Sequence, residues 1–594
     1  MEQAVRAETV STLVASAAAR HGERPGVRFK RDGEWRELTF GEVGTIVEEL
    51  ALGLIDLGVA AGDRVAILAN TRPEWTFASY AVSAAGGVVV PVYPTNSPEE
   101  CEWVAGNSEA RAIVCEDESQ LAKVEAVRGD LPALEHTIGI EPGGGEIALD
   151  ELRERGRSNG DRDELARRQA AVEPDDAYTF IYTSGTTGPP KGCVLTHGNA
   201  MSVCHATEAL DFLHTGEVCY LYLPLAHVFA LTVQLAAFDV GASIVYFGGD
   251  TKQIVAEIGE AGPTYLPSVP RIFEKLYAMA TAALAKASDE DRERFEKAVE
   301  VGFRVRQMRA RGEEVPAELE QAFEQADERL FKGVRKLFGD NVRQAVTGAA
   351  PIASEILRFF YAAGVPVLEG WGLTETTGLG TVVLLDDYRP GTVGRPVPGT
   401  EVKIADEDGE ILMRGPNVFR EYWRNPEATA EAFDGDWFRT GDVGALDDDG
   451  FLEITGRKKD IIITAGGKNL APANLENDLK QSRWISQAVM YGDRRPYPVA
   501  LITLDAEEIG PWAREQGLPE DLPSLAADER VAELVQGELD RVNARYAKVE
   551  QIKRFAILDH DLSQEEGELT PTLKVKRAVV NDRYADLFES LYAS

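Results

Sequence analysis

The stretch 182–192 constrains this chain more than any other segment. It follows a short apolar, β-leaning run at 178–182, and it sets glycines and hydroxyl residues ahead of a proline pair and Lys191. Glycines let backbone N–H groups approach oxygen atoms, hydroxyl groups donate hydrogen bonds, and a lysine neutralises negative charge. This composition predicts a strand followed by a loop that wraps a polyphosphate.

The residue order differs from the phosphate-binding loop of common nucleoside triphosphatases, in which the lysine follows glycine and precedes serine or threonine. Here Lys191 follows Pro190 and precedes Gly192. This order resembles the signature of the adenylate-forming enzymes, which include acyl-CoA synthetases, peptide-synthetase adenylation domains and luciferases. Further segments resemble motifs of this superfamily and occur in its order, namely 347–351, 370–375, 437–442, 456–460 and 570–574.

The chain is predicted to form an α/β fold with more than one domain, because 594 residues exceed what one hydrophobic core usually holds. Apolar residues from Val43 to Leu57 recur at helical spacing, 64–69 and 88–92 indicate buried strands, and a helix is predicted after Pro73. The resemblance implies a large N-terminal domain of αβ-layered sheets plus a barrel-like β subdomain, with a small mobile α+β C-terminal domain. The predicted boundaries are 1–456 for the N-terminal acyl/ATP-binding domain, 457–459 for the hinge and 460–594 for the C-terminal domain.

A segment at about 281–340 is rich in Ala, Glu, Lys and Arg and has few β-branched residues, which predicts amphipathic helices inserted in the N-terminal domain. One interpretation is a cap over a lipid tunnel. The other is a helical surface insertion or a homodimer contact. The sequence leaves both open.

Composition excludes several classes of function. The net charge of −37, from 62 basic and 99 acidic residues, argues against nucleic-acid binding, which normally uses a basic surface. Five cysteines without CxxC spacing and seven histidines without metal-ligand spacing indicate reduced thiols and no zinc site. The N-terminus shows no signal peptide, and the longest apolar stretch, at 82–92, is about half a membrane span. We therefore expect a cytoplasmic protein.

The resemblance implies ATP, Mg²⁺ and coenzyme A. A carboxylate forms a thioester only after its oxygen becomes a leaving group, and attack of the carboxylate on the α-phosphate of ATP would achieve this. It places Thr374 at the α-phosphate, and Glu375 and Thr187 at the metal, a hard cation that prefers oxygen ligands. The residues that it assigns to the β- and γ-phosphates are Thr183, Ser184, Gly185, Thr186, Thr187, Gly188 and Lys191.

The resemblance also implies a nucleoside site. Trp371, which stands where the superfamily often has tyrosine, would stack on adenine, since both residues offer a flat aromatic face. Asp442 would accept hydrogen bonds from the ribose hydroxyls, and Arg457 would reach the same sugar. The remaining residues implied at the nucleotide are Gly348, Ala349, Ala350 and Gly372.

Lys574 is the implied catalytic lysine, which would approach the α-phosphate oxygen and the substrate carboxylate. Leu573 precedes it where the superfamily usually has glycine. This departure resembles long-chain members, and it leaves Lys576 as an alternative to Lys574. The resemblance places His227 in the catalytic site with Thr374, Glu375 and Lys574, where His227 would line the acyl pocket. The alternative is a core residue, because a lone histidine after an apolar run is often buried in the core.

The second step needs a thiol at the same carbon, so one site must serve two reactions. The resemblance implies that the C-terminal domain rotates about the hinge at Lys459, which removes Lys574 and brings in a glycine-containing loop. Gly466, Gly467 and Lys468 match the loop beside the pantetheine tunnel, where glycines permit a close approach. A plain hairpin turn is the other interpretation of this loop.

The resemblance is closest to bacterial long-chain fatty acid–CoA ligases, and it rests on the inserted helices and on the runs 492–502 and 568–572. The implied partners are a fatty acid, ATP and CoA, and peripheral membrane contact stays open because fatty acids partition into lipid. Alternatives are a fatty acyl-AMP ligase that feeds a carrier protein, or a CoA ligase for a shorter or aromatic acid. A peptide-synthetase domain is disfavoured because no carrier attachment motif follows, and a non-catalytic sensor is disfavoured by the intact Lys574, Glu375 and Asp442.

Overall fold

The computed structural model describes residues 6–183, 189–282, 284, 288–465, 469–570 and 574–593. The chain forms a large N-terminal part and a smaller C-terminal part. The helices of the N-terminal part are α1 (Leu13–His21), α2 (Phe40–Asp56), α3 (Pro73–Ala84), α4 (Pro98–Ser108), α5 (Glu118–Ala126), α6 (Leu149–Asn159), α7 (Arg162–Ala171), α8 (His197–Ala209), α9 (Val228–Val240), α10 (Ile254–Ala261), α11 (Pro270–Thr281), α12 (Asp289–Ala310), α13 (Ala317–Ala326), α14 (Lys332–Leu337), α15 (Ser354–Ala363) and α16 (Pro426–Ala432).

The strands of the N-terminal part form three sheets. They are β1 (Pro25–Arg31), β2 (Glu34–Thr39), β3 (Arg64–Leu68), β4 (Val88–Val92), β5 (Ala110–Cys115), β6 (His136–Gly139), β7 (Ile147–Ala148), β8 (Ala177–Thr183), β9 (Lys191–Thr196), β10 (Val218–Leu221), β11 (Ser243–Tyr246), β12 (Tyr265–Ser268), β13 (Gln344–Thr347), β14 (Val367–Trp371), β15 (Thr381–Val382), β16 (Arg395–Pro396), β17 (Glu401–Ile404), β18 (Glu410–Arg414), β19 (Glu421–Tyr422), β20 (Phe433–Asp434), β21 (Trp437–Leu446) and β22 (Leu452–Arg457).

The first sheet has the strand order β19-β9-β8-β4-β3-β5-β6-β7. Its central strands are parallel, and β3 pairs with β4 in register from Arg64 opposite Val88. The strand–helix–strand unit predicted from the apolar pattern is thus β3, α3 and β4. α2 covers the earlier predicted helix, and it begins at a capping box in which Thr39 and Glu42 bind each other's backbone N–H groups.

The second sheet has the order β16-β15-β14-β13-β12-β10-β11-β1-β2 and is parallel from β1 through β11, β10, β12 and β13 to β14. α3 and α9 are buried on nearly all sides, as expected for helices that are apolar all round. α3 packs on β3 and β4, and α9 packs on β11 of the other sheet. Thr76 of α3 donates a 2.6 Å hydrogen bond to Gln234 Oε1 of α9, so these two helices join the layers.

An antiparallel β subdomain follows, with the order β17-β18-β21-β20 and β22 paired with β21. The predicted insertion is helical and comprises α12, α13, a π-helical turn at Asp327–Phe331, and α14. It packs on α15: the ring of Phe295 stacks on Phe359 with centroids 5.7 Å apart, and Arg306 Nε donates to the Ala362 carbonyl at 2.8 Å. Whether it caps a tunnel or forms a dimer contact remains a prediction.

The C-terminal part has its own hydrophobic cores, centred on a three-stranded sheet. Within the described ranges, no helix of the chain is long and apolar enough to cross a membrane. The elements of this part are β23 (Ile462–Ile463), β24 (Asn469–Leu470), α17 (Pro472–Lys480), β25 (Ile485–Tyr491), β26 (Val499–Leu504), α18 (Ala506–Glu515), α19 (Leu522–Ala526), α20 (Glu529–Asn543), β27 (Arg554–Ile557), α21 (Arg577–Arg583) and α22 (Ala585–Ala593).

Candidate active site

The predicted phosphate loop connects two antiparallel strands of the first sheet. Thr183 at the end of β8 pairs with Lys191 at the start of β9, so both lie at the base of the loop. The outgoing arm is fixed by α4, because the indole N–H of Trp103 donates a 2.8 Å hydrogen bond to the Pro190 carbonyl. The predicted residues that lie outside the described ranges are Ser184, Gly185, Thr186, Thr187 and Gly188.

Thr374 and Glu375 lie on a one-turn 3-10 helix, Thr374–Thr376, directly after β14. The turn is closed by Thr376, whose Oγ1 accepts a 2.8 Å hydrogen bond from the Leu373 N–H. Gly372 is required here, since a Cβ at this position would lie 2.5 Å from the carbonyl carbon of Gly378. The turn therefore presents two predicted site residues at the carboxyl end of a strand.

The Glu375 side chain has a partner that the sequence did not indicate. Tyr422 Oη donates a 2.7 Å hydrogen bond to Glu375 Oε1, and the ammonium of Lys191 lies 4.9 Å from the centroid of the Tyr422 ring. Burial, together with the charge of Glu375, raises the pKa of Tyr422 far above its ordinary value, so the phenol keeps its proton. Lys191 and Glu375 thus contact two different parts of one aromatic side chain, the ring and the hydroxyl.

Asp442 is buried on β21 and has both carboxylate oxygens engaged. Trp371 Nε1 donates to Oδ2 at 2.9 Å, and Arg457 Nε donates to Oδ1 at 2.9 Å. Arg457 faces Asp442 directly across the β21–β22 pair. The indole itself packs in the small hydrophobic cluster that contains Ile411 and Met413. The structure therefore brings Trp371, 71 positions away from Asp442, to the pair formed by Asp442 and Arg457.

The 348–350 segment directly follows β13, at the end of the second sheet where the parallel strand β14 also ends. Gly348 is half-buried, whereas Ala349 and Ala350 are exposed. Ala349 adopts φ of 68°, a left-handed conformation that is costly for a residue with a Cβ. Gly348 sits against β14, since a Cβ there would lie 3.2 Å from the Gly370 carbonyl oxygen. This segment and Trp371 therefore neighbour each other.

Lys574 enters the site from the C-terminal part. Two hydrogen bonds tie it to Thr570: the Lys574 N–H donates to Thr570 Oγ1 at 3.0 Å, and the Thr570 N–H donates to the Lys574 carbonyl at 2.8 Å. The residue as a whole is exposed, but its amine is partly desolvated. This desolvation, and next the positive charge of Arg457, lower the pKa of Lys574 to about 8, while Asp442 opposes the shift. Lys574 thus lies within electrostatic range of Arg457 and Asp442.

His227 lies at the N-terminus of α9, where its Nδ1 accepts a 3.2 Å hydrogen bond from the Phe229 N–H. With Nδ1 as acceptor, the ring hydrogen is placed on Nε2. Burial, and next the charge of Lys574, lower the pKa of His227 to about 3. The imidazole is therefore neutral at physiological pH and lies in the electrostatic field of Lys574.

An apolar cavity begins beside these polar groups. Its lining includes Phe229, two residues after His227, and Gly378 and Leu379, which follow the Thr374–Thr376 turn. Thr232 in the wall donates a 2.9 Å hydrogen bond to the Thr377 carbonyl and so ties α9 to that turn. The other lining residues are Thr207, Leu210, Phe212, Leu213, Val233, Ala236, Tyr265, Val346 and Val382.

The donor set suits a magnesium ion that is carried in with a phosphate. In the described ranges, no group of three or more His, Cys, Asp or Glu side chains could hold a metal by itself. Oε2 of Glu375 accepts no hydrogen bond from any described residue, whereas Oε1 is taken by Tyr422. Mg²⁺ commonly binds through one or two carboxylates plus substrate phosphates, so Glu375 fits the predicted role.

Three further predicted residues, Gly466, Gly467 and Lys468, lie outside the described ranges, and Lys459 is exposed at the end of β22. The sequence did not indicate Tyr422 or the cavity lining. Tyr422 reaches Glu375 only because β19 joins the edge of the first sheet beside β9. The cavity residues could not be recognised because pocket walls and core residues are equally apolar in sequence.

Comparison with known proteins identifies the family of the chain. Residues 14–423 match the model of the family described as AMP-binding enzyme, and residues 459–594 match that of the AMP-binding enzyme C-terminal domain. A long-chain-fatty-acid–CoA ligase, FadD15, of Mycobacterium bovis is 42% identical over 566 residues, which cover 94% of this chain and 93% of that protein. FadD15 of Mycobacterium tuberculosis is likewise 42% identical over 566 residues, with the same coverage of both chains.

Solved structures share the fold at lower identity. The anthranilate CoA ligase AuaEII, solved with anthranoyl-AMP, superposes with a TM-score of 0.74 at 21% identity and covers 98% of each chain. A fatty acyl CoA synthetase of Mycobacterium tuberculosis gives a TM-score of 0.63 at 23% identity, over 98% of this chain and 99% of its own. The family models together match most of the chain, and the FadD15 relatives align along nearly all of it. The chain therefore belongs to the AMP-binding enzyme family, the adenylate-forming superfamily that its ordered motifs resemble.

Proposed function

We propose that this protein is an ATP- and Mg²⁺-dependent long-chain fatty acid–CoA ligase. The observation that carries the proposal is that Lys574 lies within electrostatic range of Asp442, Arg457 and His227. His227 stands two residues before Phe229, which lines an apolar cavity, and the chain is 42% identical to a long-chain ligase. A fatty acid needs both parts, a polar site for its carboxylate and an apolar cavity for its chain.

In the first step, a carboxylate oxygen of the fatty acid attacks the α-phosphorus of ATP, and pyrophosphate leaves. Lys574 would hold its positive charge where negative charge develops between the carboxylate and the α-phosphate. Lys191 and Thr183 would position the β- and γ-phosphates, and Asp442 and Arg457 the ribose. Mg²⁺, held through Glu375, would neutralise phosphate charge when ATP is bound.

The neutral His227 would help to orient the substrate. Its Nε2–H can donate a hydrogen bond to a carboxylate oxygen without adding a second positive charge beside Lys574. Desolvation strengthens this bond, because the imidazole is surrounded by protein. The cavity behind Phe229 would hold the alkyl chain and exclude water from the acyl phosphate.

In the second step, the CoA thiol attacks the acyl carbon, the acyl–phosphate bond breaks, and AMP leaves. Lys574 lies near Arg457 and Asp442 in the present arrangement. We propose that the C-terminal domain, 460–594, rotates about the hinge 457–459 at Lys459 and so withdraws this lysine before the second step. The contacts that hold it include an Arg271–Asp505 ion pair and a 3.9 Å Lys275–Glu507 pair. Each pair has an exposed basic side chain, and pairs at the surface contribute at most about 1 kcal/mol each, so their loss would oppose the rotation only weakly.

After rotation, the loop of Gly466, Gly467 and Lys468 would border the thiol arm of CoA, and the boundary at 456 would separate the two bodies. A cytoplasmic location, peripheral membrane contact and homodimerisation stay predictions. A fatty acyl-AMP ligase and a CoA ligase for shorter or aromatic acids are the alternatives to be tested.

The test is release of AMP and pyrophosphate with ATP and Mg²⁺ across saturated acids of increasing length, each with and without CoA. We expect acyl-CoA formation to peak at long chains. Turnover confined to short or aromatic acids would overturn the substrate class. Enzyme-bound acyl-AMP that does not respond to CoA would assign the protein to the acyl-AMP ligases.

A further inference from the structure

Tyr422 lies between two groups that the first half-reaction would use. Its hydroxyl donates a 2.7 Å hydrogen bond to Glu375 Oε1, and the Lys191 ammonium lies 4.9 Å from its ring centroid. The side chain is buried, with only 9% of the residue exposed. One rigid side chain is therefore in contact with both the predicted metal carboxylate and the predicted phosphate lysine.

The strand register explains this contact. Tyr422 on β19 faces Cys193 on β9, and Lys191 lies two residues before Cys193 on the same strand. Residues two apart in a strand point to the same face, so the Lys191 side chain reaches the tyrosine ring. The pairing of a two-residue edge strand thus sets the position of the lysine relative to the ring.

The segment that carries Tyr422 also binds the backbone of Glu375. The Phe419 N–H donates a 2.8 Å hydrogen bond to the Glu375 carbonyl. The rings of Phe419 and Tyr422 meet edge-to-face with centroids 4.8 Å apart, and the Tyr422 N–H donates to Thr429 Oγ1 of α16 at 3.0 Å. Glu375 is therefore held at both its main chain and its side chain by 419–422.

Each contact has a chemical consequence. The phenol O–H occupies Oε1 of Glu375, so the carboxylate is oriented with Oε2 left for a hard cation. The ring face attracts the ammonium of Lys191 and limits its rotamers, which lowers the entropy lost when the lysine meets a phosphate. Without the ring, a lysine at the base of a glycine-rich loop would sample more orientations.

We infer that Tyr422 is a positioning residue for Mg–ATP, which orients Glu375 through its hydroxyl and Lys191 through its ring. This inference rests on the proposed function, because it assigns Glu375 to the metal and Lys191 to the phosphates. Replacing Tyr422 by alanine would remove the hydroxyl and the ring together, so their two contributions would not be separated. It also predicts that Tyr422 acts in adenylation and not in thioester formation.

Two variants separate the contributions. Tyr422→Phe removes the hydroxyl and keeps the ring, whereas Tyr422→Leu removes both. Tyr220→Phe is the matched control, because Tyr220 also donates from a buried phenol to a carboxylate, Glu257 Oε2 at 3.0 Å, outside the site. Thermal melting of the two Phe variants measures the cost of losing one buried hydroxyl in each place.

The readouts are calorimetric binding of ATP with and without Mg²⁺, electron paramagnetic resonance of Mn²⁺ with ATP, and the two half-reactions measured separately. We expect Tyr422→Phe to weaken Mn²⁺ binding about tenfold, as loss of a hydrogen bond to a charged group does, and to leave metal-free ATP binding unchanged. Tyr422→Leu should in addition weaken metal-free ATP binding about two- to fivefold, through loss of the cation–π contact.

Thioester formation from supplied acyl-AMP should match the unmodified protein in both variants, and Tyr220→Phe should change neither binding measurement. Unchanged Mn²⁺ binding in Tyr422→Phe, or equal loss in both half-reactions, would overturn the inference. If the unmodified protein binds Mg–ATP but makes no acyl-CoA, the proposed function fails while the binding measurements still decide the role of Tyr422.

Discussion

The indole N–H of Trp371 donates a 2.9 Å hydrogen bond to Oδ2 of Asp442. This contact joins the carboxyl end of β14 in the second sheet to β21 of the β subdomain, and it orients a buried carboxylate. Arg457 binds the other oxygen, Oδ1. Two motifs separated by some seventy positions are thus one structural unit.

Asp442→Asn should disrupt this unit. An amide has one acceptor oxygen, so its NH₂ group must face the N–H of either Trp371 or Arg457. We expect the free energy of unfolding to fall by about 1–3 kcal/mol. The rate of ATP–pyrophosphate exchange should fall at least about tenfold, which corresponds to a loss of about 1.4 kcal/mol of binding free energy. The control is Asp434→Asn, because Asp434 is exposed and contacts Arg439 at 3.3 Å on the same sheet. Equal effects of the two substitutions would contradict a special role for Asp442.

Lys574→Ala should abolish adenylation and leave thioester formation from supplied acyl-AMP largely intact. The amine is the group within electrostatic range of Asp442 and Arg457, and the second step would take place after the lysine has left. Lys576→Ala is the matched control, since it tests the alternative lysine two residues away. Loss of both half-reactions in Lys574→Ala would contradict rotation of the C-terminal domain.

Adenylation should slow as the pH rises through about 8. The pKa of Lys574 is lowered to about 8 by desolvation and by Arg457, so the ammonium is present below that pH and is lost above it. An ordinary lysine, with a pKa near 10.4, would hold the rate well above pH 9 or so. His227 is neutral throughout this range because its pKa is about 3. A pH–rate profile of pyrophosphate release checks this.

Lys574→Arg supplies the control for the pH profile. The guanidinium stays charged at every accessible pH, so whatever rate this variant keeps should not decline near pH 8. A decline at the same pH in the arginine variant would assign the titration to another group.

Glu568→Gln should slow adenylation by loosening the segment beside Lys574, because the Lys576 N–H donates a 2.7 Å hydrogen bond to the Glu568 carbonyl. The Glu568 carboxylate is fully buried and accepts hydrogen bonds from Ser563 at 3.1 Å, Arg583 at 2.9 Å and Tyr584 at 2.6 Å. Glutamine would set an N–H against one of these donors, at a cost of about 1–3 kcal/mol. Glu566→Gln is the control, because Glu566 contacts the same arginine from an exposed position. Unchanged adenylation in Glu568→Gln, measured by pyrophosphate release, would reject the anchoring role.

Ala236→Phe should shift the preferred acid to shorter chains. Ala236 lines the apolar cavity from α9 and is buried, so a phenyl ring would fill the space that an alkyl chain needs. Overpacking of this kind costs about 1–3 kcal/mol of stability. Activity on a panel of acids measures the shift, and the KM for ATP should stay unchanged. An unaltered chain-length profile would show that the cavity does not hold the substrate.

Local sequence determined secondary-structure elements and the family of this protein. The apolar run after Asp63 and the helical spacing of 43–57 predicted β3 and α2, because strand and helix periodicities act over a few residues. The ordered motifs predicted the family, and they named Asp442, Trp371, Arg457 and Lys574. Each of these signals is contained within a short segment of the chain.

Only the tertiary structure decided which of these residues meet. Tyr422 contacts Glu375 because the edge strand β19 pairs with β9, and nothing near Tyr422 in sequence indicates that partner. The lowered pKa of Lys574 results from desolvation and from the charge of Arg457, which lies in another part of the chain. Sheet order, burial and electrostatic range arise from contacts between distant segments. A sequence pattern therefore predicts the elements, whereas the fold determines the geometry of the site.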